Sequence, residues 1–319
     1  MKKELAVSIQ TSGWYNPLFG GDTNPLVAFT ELKKHGFDAI DYNIDTKYFP
    51  TDIKAGKHST FYSQELETIL DYYRPIKKAL DEAGIEVAQT HSPFPSYVED
   101  NDDINEHIIE VIGKCMAVCQ LLECPATVVH PYTNTKDKDK EREVNLNLYR
   151  SLIPYAKKYG VKVCLENMVG WGCGAHPIKG ACADMNETVW YIDTLNKEAG
   201  EDVFGFCLDI GHATITGNNI YQDILTLGNR LTVLHLHDND SKGDMHLAPY
   251  TCKTPAHSNI IHWNGLMRGL RKIGYRGAIN FETFAAFVNT PIEAAPAMLS
   301  YIGAIGNYFR DKILSDEEI

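Results

Sequence analysis

The sequence is short of positive charge, of paired cysteines and of long apolar runs, and each shortage removes a class of function. Thirty lysines and arginines stand against 42 aspartates and glutamates, a formal charge of −12 over 319 residues. That balance lacks the electrostatic footprint of a protein that grips nucleic acid or an anionic membrane surface. No apolar run approaches the roughly 18 residues of a membrane span. The opening MKKELAVSIQ has two lysines but an apolar stretch of only Ala6-Val7-Ser8-Ile9, so it reads as a first strand and not as a secretory leader. The eight cysteines form no CxxC pair, and Cys164 and Cys207 fall inside apparent strands. Reduced, buried thiols of a cytoplasmic protein are expected rather than a disulfide framework. No GxGxxG follows the first strand, which removes the dinucleotide fingerprint. No linker or break in composition divides the chain. Its length would hold about two average domains, but one domain over residues 1–319 is expected.

What is present is a regular alternation. Short β-branched runs occur at 5–10, 37–43, 85–91, 126–131, 161–166, 204–210, 231–237 and 277–283. Segments of helical period separate them, among them 65–83, 105–122, 141–159, 186–196 and 264–272. Gly36, Gly84, Gly160 and Gly274 precede strands, as residues that end a helix do. Helix-strand alternation of this kind implies right-handed crossovers and a parallel sheet. Eight repeats favour closure into a single (β/α)8 TIM barrel with its site at the C-terminal face of the strands. Three long segments, at about 45–62, 167–184 and 239–258, each follow a strand and would crowd that face. The middle one, with Gly170-Trp171-Gly172-Cys173-Gly174, reads as a flexible lid or a mobile surface insertion.

Strand after strand ends on a potential metal ligand: His91, His130, Glu166, Asp209 with His212, His235 with His237, and Glu282, followed in the chain by Asp244 and His246 after the seventh strand. Polar side chains are costly in a barrel interior unless paired or ligating. Carboxylates brought this close would raise one another's pKa unless a divalent cation neutralised them. Glu166, Asp209 and Glu282 end different strands and can face one centre. His235 and His237 are two apart, hence on one face of their strand, and either completes the set. Mixed oxygen and imidazole donors suit Mn²⁺, Zn²⁺, Co²⁺ or Mg²⁺.

At these residues the sequence resembles the xylose isomerase-like superfamily of TIM barrels, on LEN at Glu166, LDIGHA around Asp209–His212, HLHDND at His235–Asp240, DxH at Asp244–His246 and FE at Glu282. The resemblance implies a sugar or sugar-phosphate isomerase or epimerase, with the metal held by Glu166, Asp209, His235 and Glu282. It implies that the two glutamates also act as acid and base, and that His212 helps hold the substrate. The His-Leu-x-Asp frame, with Asp238 as fourth residue, favours His235 over His237 as ligand. Asn167 is a further substrate-contact candidate. Trp14, Phe94 and Trp171 would pack on the sugar's apolar face, or serve ordinary packing. The segment Asn239–Gly243 lacks the arginine that ketose 3-epimerases carry there, which leaves isomerase and dehydratase variants open.

The resemblance extends to a sister branch, the endonuclease IV-type enzymes, which hold three zincs. Their ligand types match His91, His130, Glu166, Asp209, His212, His235, Asp244, His246 and Glu282 in order. A duplex-DNA enzyme needs cations around its cleft, and the site-bearing loops offer few. A barrel that binds sugar or metal without catalysis is a third reading, against which the Glu166/Glu282 pair argues. The expected partner is therefore a small sugar or sugar phosphate, with no nucleic acid and no membrane. Relatives form dimers or tetramers, so a homo-oligomer is compatible with the resemblance.

Overall fold

The computed structural model describes residues 3–288 and 290–319; Met1 and Lys2, at the head of the segment read above for a leader, lie outside the described residues, as does Asn289. Eight strands form the central sheet: β1 Val7–Gln10, β2 Ala39–Asn43, β3 Glu86–His91, β4 Ala126–Val128, β5 Lys162–Glu166, β6 Phe204–Asp209, β7 Leu231–His235 and β8 Ile279–Phe281. Their order is β8-β1-β2-β3-β4-β5-β6-β7, and every pairing is parallel. Leu236, just past β7, closes the barrel: its N–H donates to the Asn280 carbonyl and its carbonyl accepts from the Glu282 N–H, both at 3.0 Å. The protein is thus the α/β TIM barrel expected. Each strand lies inside its expected window but is shorter: β1, β2, β3 and β5 begin later, β4, β6 and β7 end earlier, and β8 does both.

Helices cover the outside, so the strands are buried on both faces and read as near-continuous apolar runs. Helix Leu66–Ala83 buries Ile69, Tyr73, Ile76 and Leu80, the i, i+4, i+7, i+11 stripe of a half-buried helix. It ends at Gly84, as helix Lys138–Tyr159 ends at Gly160, each in the left-handed conformation that lets the chain reverse into the next strand. Helices Asp102–Leu121 and Lys138–Tyr159 start on side-chain caps, Asn101 and Asp137. No helix among the described residues is long and apolar enough to cross a membrane, and no disulfide joins the cysteines. Cys164 and Cys207 pack with Ala126, Val128 and Val233 inside the barrel.

The segment read as a flexible lid or a mobile surface insertion contains a two-stranded antiparallel arm, Val169–Trp171 against Pro177–Lys179. Its root is pinned by hydrogen bonds from the Met168 N–H to the Ala181 carbonyl and from the Gly180 N–H to the Met168 carbonyl. Gly170 is there for close packing, since a Cβ would sit 2.5 Å from Cγ2 of Thr135. The third long loop is organised by Asp238, whose backbone pairs with Leu247 and whose carboxylate accepts from the Cys252 N–H at 3.0 Å.

Candidate metal centre and active site

The ligand-type residues sit where strands stop. β5 ends on Glu166, β6 on Asp209 and β7 on His235, while Glu282 directly follows β8, and all four are buried. Donor atoms of these four lie within 4.8 Å of one another. His235 is the hub, with Nδ1 3.4 Å from Oε1 of Glu166 and 3.2 Å from Oε2 of Glu282. The other oxygen of Glu282 accepts from Nε2 of Gln10 at 2.6 Å. Asp209 caps the short helix Ile210–Ile215 by accepting the His212 N–H at 2.7 Å.

Two further groups flank this one. His91, His130 and Glu166 form the first, with 3.0 Å between the Nε2 atoms of the histidines and 3.1 Å from His130 to Oε2 of Glu166. His212, Asp244 and His246 form the second, Asp244 lying 3.2 Å from Nε2 of His212 and 3.0 Å from Nε2 of His246. All nine residues of the longer ligand series are therefore in three adjoining groups. His91, His212 and His246 each bond a backbone carbonyl through Nδ1, of Ser92, Asn167 and Glu282 respectively. That anchoring leaves their Nε2 atoms to the site. His237 joins none of the close-donor groups found among the described residues. Its Nε2 meets the two oxygens of Asp209 at 3.1 and 3.2 Å, and its ring stacks on His246 at 4.1 Å.

Several of these atoms are buried without a hydrogen bond in the protein: Oε2 of Glu166, both ring nitrogens of His235 and Nδ1 of His130. Orphaned polar atoms in a core are costly. Oxygen and imidazole lone pairs converging on a small volume fit a divalent cation.

The carboxylates do raise one another, Glu166 acting upward on both Asp209 and Glu282, but the expected net rise is reversed by the histidines among them. Burial works to raise Glu166, but the His235 and His130 rings outweigh it and hold the carboxyl well below its ordinary range. Burial likewise opposes, and His235 and His246 overcome it, in lowering Glu282; for Asp209 the opposing rings are His212 and His237. The histidines move the other way. Burial pulls His235 and His212 down, yet their neighbours push both well above the usual imidazole value, Cys207 followed by Glu282 and Glu166 for His235, and Asp209 followed by Asp244 for His212. Interleaved imidazolium groups thus offset the acidic charge in the metal-free protein.

Above the donors lies a cavity of about 290 Å³. Phe94, Met168, Trp171 and Phe284 wall it, over His130, Glu166, His212, Asp244, His246 and Glu282. That volume is near the lower end of small-molecule sites. A larger groove of about 480 Å³ runs between helices Asp102–Leu121 and Lys138–Tyr159 on the barrel's outside, away from every donor group. Two sequence candidates have other duties. Trp14 is fully buried, its indole N–H donating to the Gln10 carbonyl and its ring packing on Tyr15 and Phe19, and it does not line this cavity. Asn167 is buried, and each end of its amide bonds the backbone of Asp209, which gives it a structural duty at the end of β6. Gln10, Met168 and Phe284 were not anticipated; Gln10 is reached by the same strand-end rule applied to the first strand.

The family described as the xylose isomerase-like TIM barrel matches residues 29–302. The uncharacterized protein MJ1311 of Methanocaldococcus jannaschii is 26% identical over 265 residues, which cover 79% of this chain and 76% of that protein. Among solved structures, a D-tagatose 3-epimerase-like protein superposes with a TM-score of 0.67 at 18% identity, covering 97% of this chain and 98% of the other. D-allulose 3-epimerase from Methylomonas sp., solved with D-allulose, gives 0.65 at 16% identity over 97% and 98% of the two chains. At these identities the likeness is one of fold.

Proposed function

Because the chain belongs to the xylose isomerase-like TIM barrel family, we propose that it is a divalent-metal-dependent sugar isomerase or epimerase that moves a proton next to a carbonyl. The observation that carries this reading is the pairing of Glu166 and Glu282. They come from β5 and from the end of β8, yet both lie within 3.4 Å of Nδ1 of His235 and both line the cavity. Two carboxylates on one small cavity suit removal of a proton from a sugar carbon and its return elsewhere. Similarly folded proteins named as D-tagatose 3-epimerase-like and D-allulose 3-epimerase support the substrate class.

Glu166, Asp209, His235 and Glu282 would hold the metal, which when bound supplies Lewis-acid polarisation of a sugar oxygen. Glu282, with Gln10 holding one of its oxygens, is placed to take and return the proton. Glu166 stands on the other side of His235 as the second acid/base group. His212 offers Nε2 to a substrate hydroxyl, its other nitrogen being tied to the Asn167 carbonyl. Phe94, Trp171 and Phe284 give apolar walls for the C–H face of a sugar and keep water out. Among the described residues no lysine or arginine lines the cavity, and Lys54 engages the Phe94 ring instead, at 5.4 Å. That favours an unphosphorylated sugar.

The test is solvent deuterium exchange into a panel of ketoses and aldoses by metal-loaded protein. Exchange that is lost in Glu282→Gln is the expected result; exchange that survives the substitution removes the acid/base role. The His91/His130/Glu166 and His212/Asp244/His246 groups favour a second reading, a three-zinc phosphodiesterase of the endonuclease IV type. About one metal per chain supports the isomerase reading. Three zincs, with incision of abasic DNA by wild type but not by Glu166→Ala, would establish the phosphodiesterase.

A further inference from the structure

Beneath the donor groups the barrel also holds polar side chains that the proposed chemistry does not use. Asp41, from the middle of β2, is fully buried there. Its Oδ2 accepts from Nε2 of Gln89 and from Nδ2 of Asn280, both at 3.1 Å. Those amides are held in turn: Oδ1 of Asn280 accepts from the Ser8 hydroxyl at 2.8 Å, and both amides also reach the Leu234 carbonyl. The same Oδ2 of Asp41 lies 3.4 Å from Nε2 of His235. The opposite nitrogen of that ring, Nδ1, is the one that faces Glu166 and Glu282.

His235 therefore differs from its neighbours. His91, His212 and His246 anchor on backbone carbonyls through Nδ1 and present Nε2. His235 presents Nδ1, and a carboxylate stands behind it. A carbonyl is enough to orient an imidazole, as those three show, whereas a carboxylate buried in a barrel is expensive. What the charge adds is a stronger acceptor for the ring N–H, which makes the opposite nitrogen a better donor to a cation.

We infer that Asp41 is a positioning residue for the metal centre, its carboxylate 3.4 Å from Nε2 of His235 keeping the ring proton on that nitrogen so that Nδ1 is the one offered to a divalent cation. The inference rests on the proposed metal site but not on the reaction carried out there. Gln89 and Asn280 serve it by fixing the Asp41 carboxylate from β3 and β8, and Ser8 of β1 serves it by holding Asn280.

Chelator-stripped wild type and Asp41→Asn, titrated with Zn²⁺ and with Mn²⁺ by calorimetry, test it. The expected result is a loss of about 10- to 100-fold in metal affinity, with the metal-free variant still folded by circular dichroism. A folded Asp41→Asn that binds Zn²⁺ within threefold of wild type overturns the inference. Should that variant fail to fold, nitrogen-15 spectra of the histidine rings in Zn²⁺-loaded wild type decide. Metal on Nδ1 of His235 with a proton on Nε2 supports it, and metal on Nε2 overturns it. Wild type that binds neither metal overturns both this inference and the proposed function. Metal binding with the expected Asp41→Asn loss, but no exchange into any sugar, upholds Asp41 while removing the proposed reaction.

Discussion

Asn167 clasps the backbone of Asp209, its Oδ1 accepting the Asp209 N–H at 2.9 Å and its Nδ2 donating to the Asp209 carbonyl at 2.7 Å. Both residues are buried, and the two bonds tie the end of β6 to the chain leaving β5. Asn167→Ala leaves an N–H and a carbonyl in the core without partners, at about 1–3 kcal/mol each. The expected outcome is a lower Tm together with weaker metal binding, because Asp209 loses its fixed position. Thermal unfolding and a Zn²⁺ titration read the two effects separately. An unchanged Tm would show that solvent satisfies those groups.

Metal uptake at neutral pH should release protons. Burial alone would depress His235, but Cys207 and then the carboxylates of Glu282 and Glu166 lift it well above the ordinary imidazole value, so the ring is protonated in the metal-free protein. Ligation needs a bare nitrogen. About one proton therefore leaves per metal bound through His235, and apparent affinity falls by about tenfold for each unit of pH lowered below the raised value. Calorimetric titrations in buffers of different ionisation enthalpy measure this directly. Heats that do not depend on the buffer would contradict it.

The barrel was legible because eight apolar runs alternate with helical periods, and a run such as Phe204–Asp209 has one physical solution, a strand covered on both faces. The donor cluster was legible because Glu166, Asp209, His235 and Glu282 each stand where a run stops. The arm at Val169–Trp171 was not, since strands of three residues show no alternation and its glycines read as flexibility. Trp14 and Trp171 look alike in sequence, each an aromatic following a strand, yet one is fully buried and the other half exposed. Asp41 was hidden because a single acid in an apolar run marks no strand end, and its role depends on His235, 194 positions away in the chain. The sign of the carboxylate shifts was misread for a related reason: it follows from histidines interleaved in space.

The loop before helix Leu66–Ala83 should be acid-sensitive. Nε2 of His107 accepts the Ser59 N–H at 2.9 Å, and its ring stacks on His58 at 4.2 Å, with Asp103 2.8 Å from Nε2 of His58. Burial, then the neighbouring His58, lowers the His107 pKa below its ordinary value, against the opposing pull of Glu110 and Asp103. A histidine depressed in the folded state contributes its full stability above the unfolded value of about 6.5. That contribution is lost as pH falls from there through the lowered folded value. Tm should drop by a few degrees on that side, and His107→Gln should flatten the slope. A variant that keeps the wild-type slope would place the acid sensitivity elsewhere.

Gly211 sits in the LDIGHA motif for room, and the demand comes from His237. A Cβ at this position would lie 1.9 Å from Cε1 and 2.3 Å from Nε2 of the His237 ring, the same ring that meets Asp209 at 3.1 Å. Gly211→Ala must therefore push the imidazole away from Asp209. Overpacking of this kind costs about 1–3 kcal/mol, even though alanine is otherwise the better helix former in Ile210–Ile215 by about 1 kcal/mol. The two effects separate in a double-mutant cycle with His237→Ala. In the His237→Ala background the alanine has space, so Gly211→Ala should be neutral or stabilising by Tm. Were it equally destabilising in both backgrounds, the glycine would answer to its own backbone and not to the ring above it.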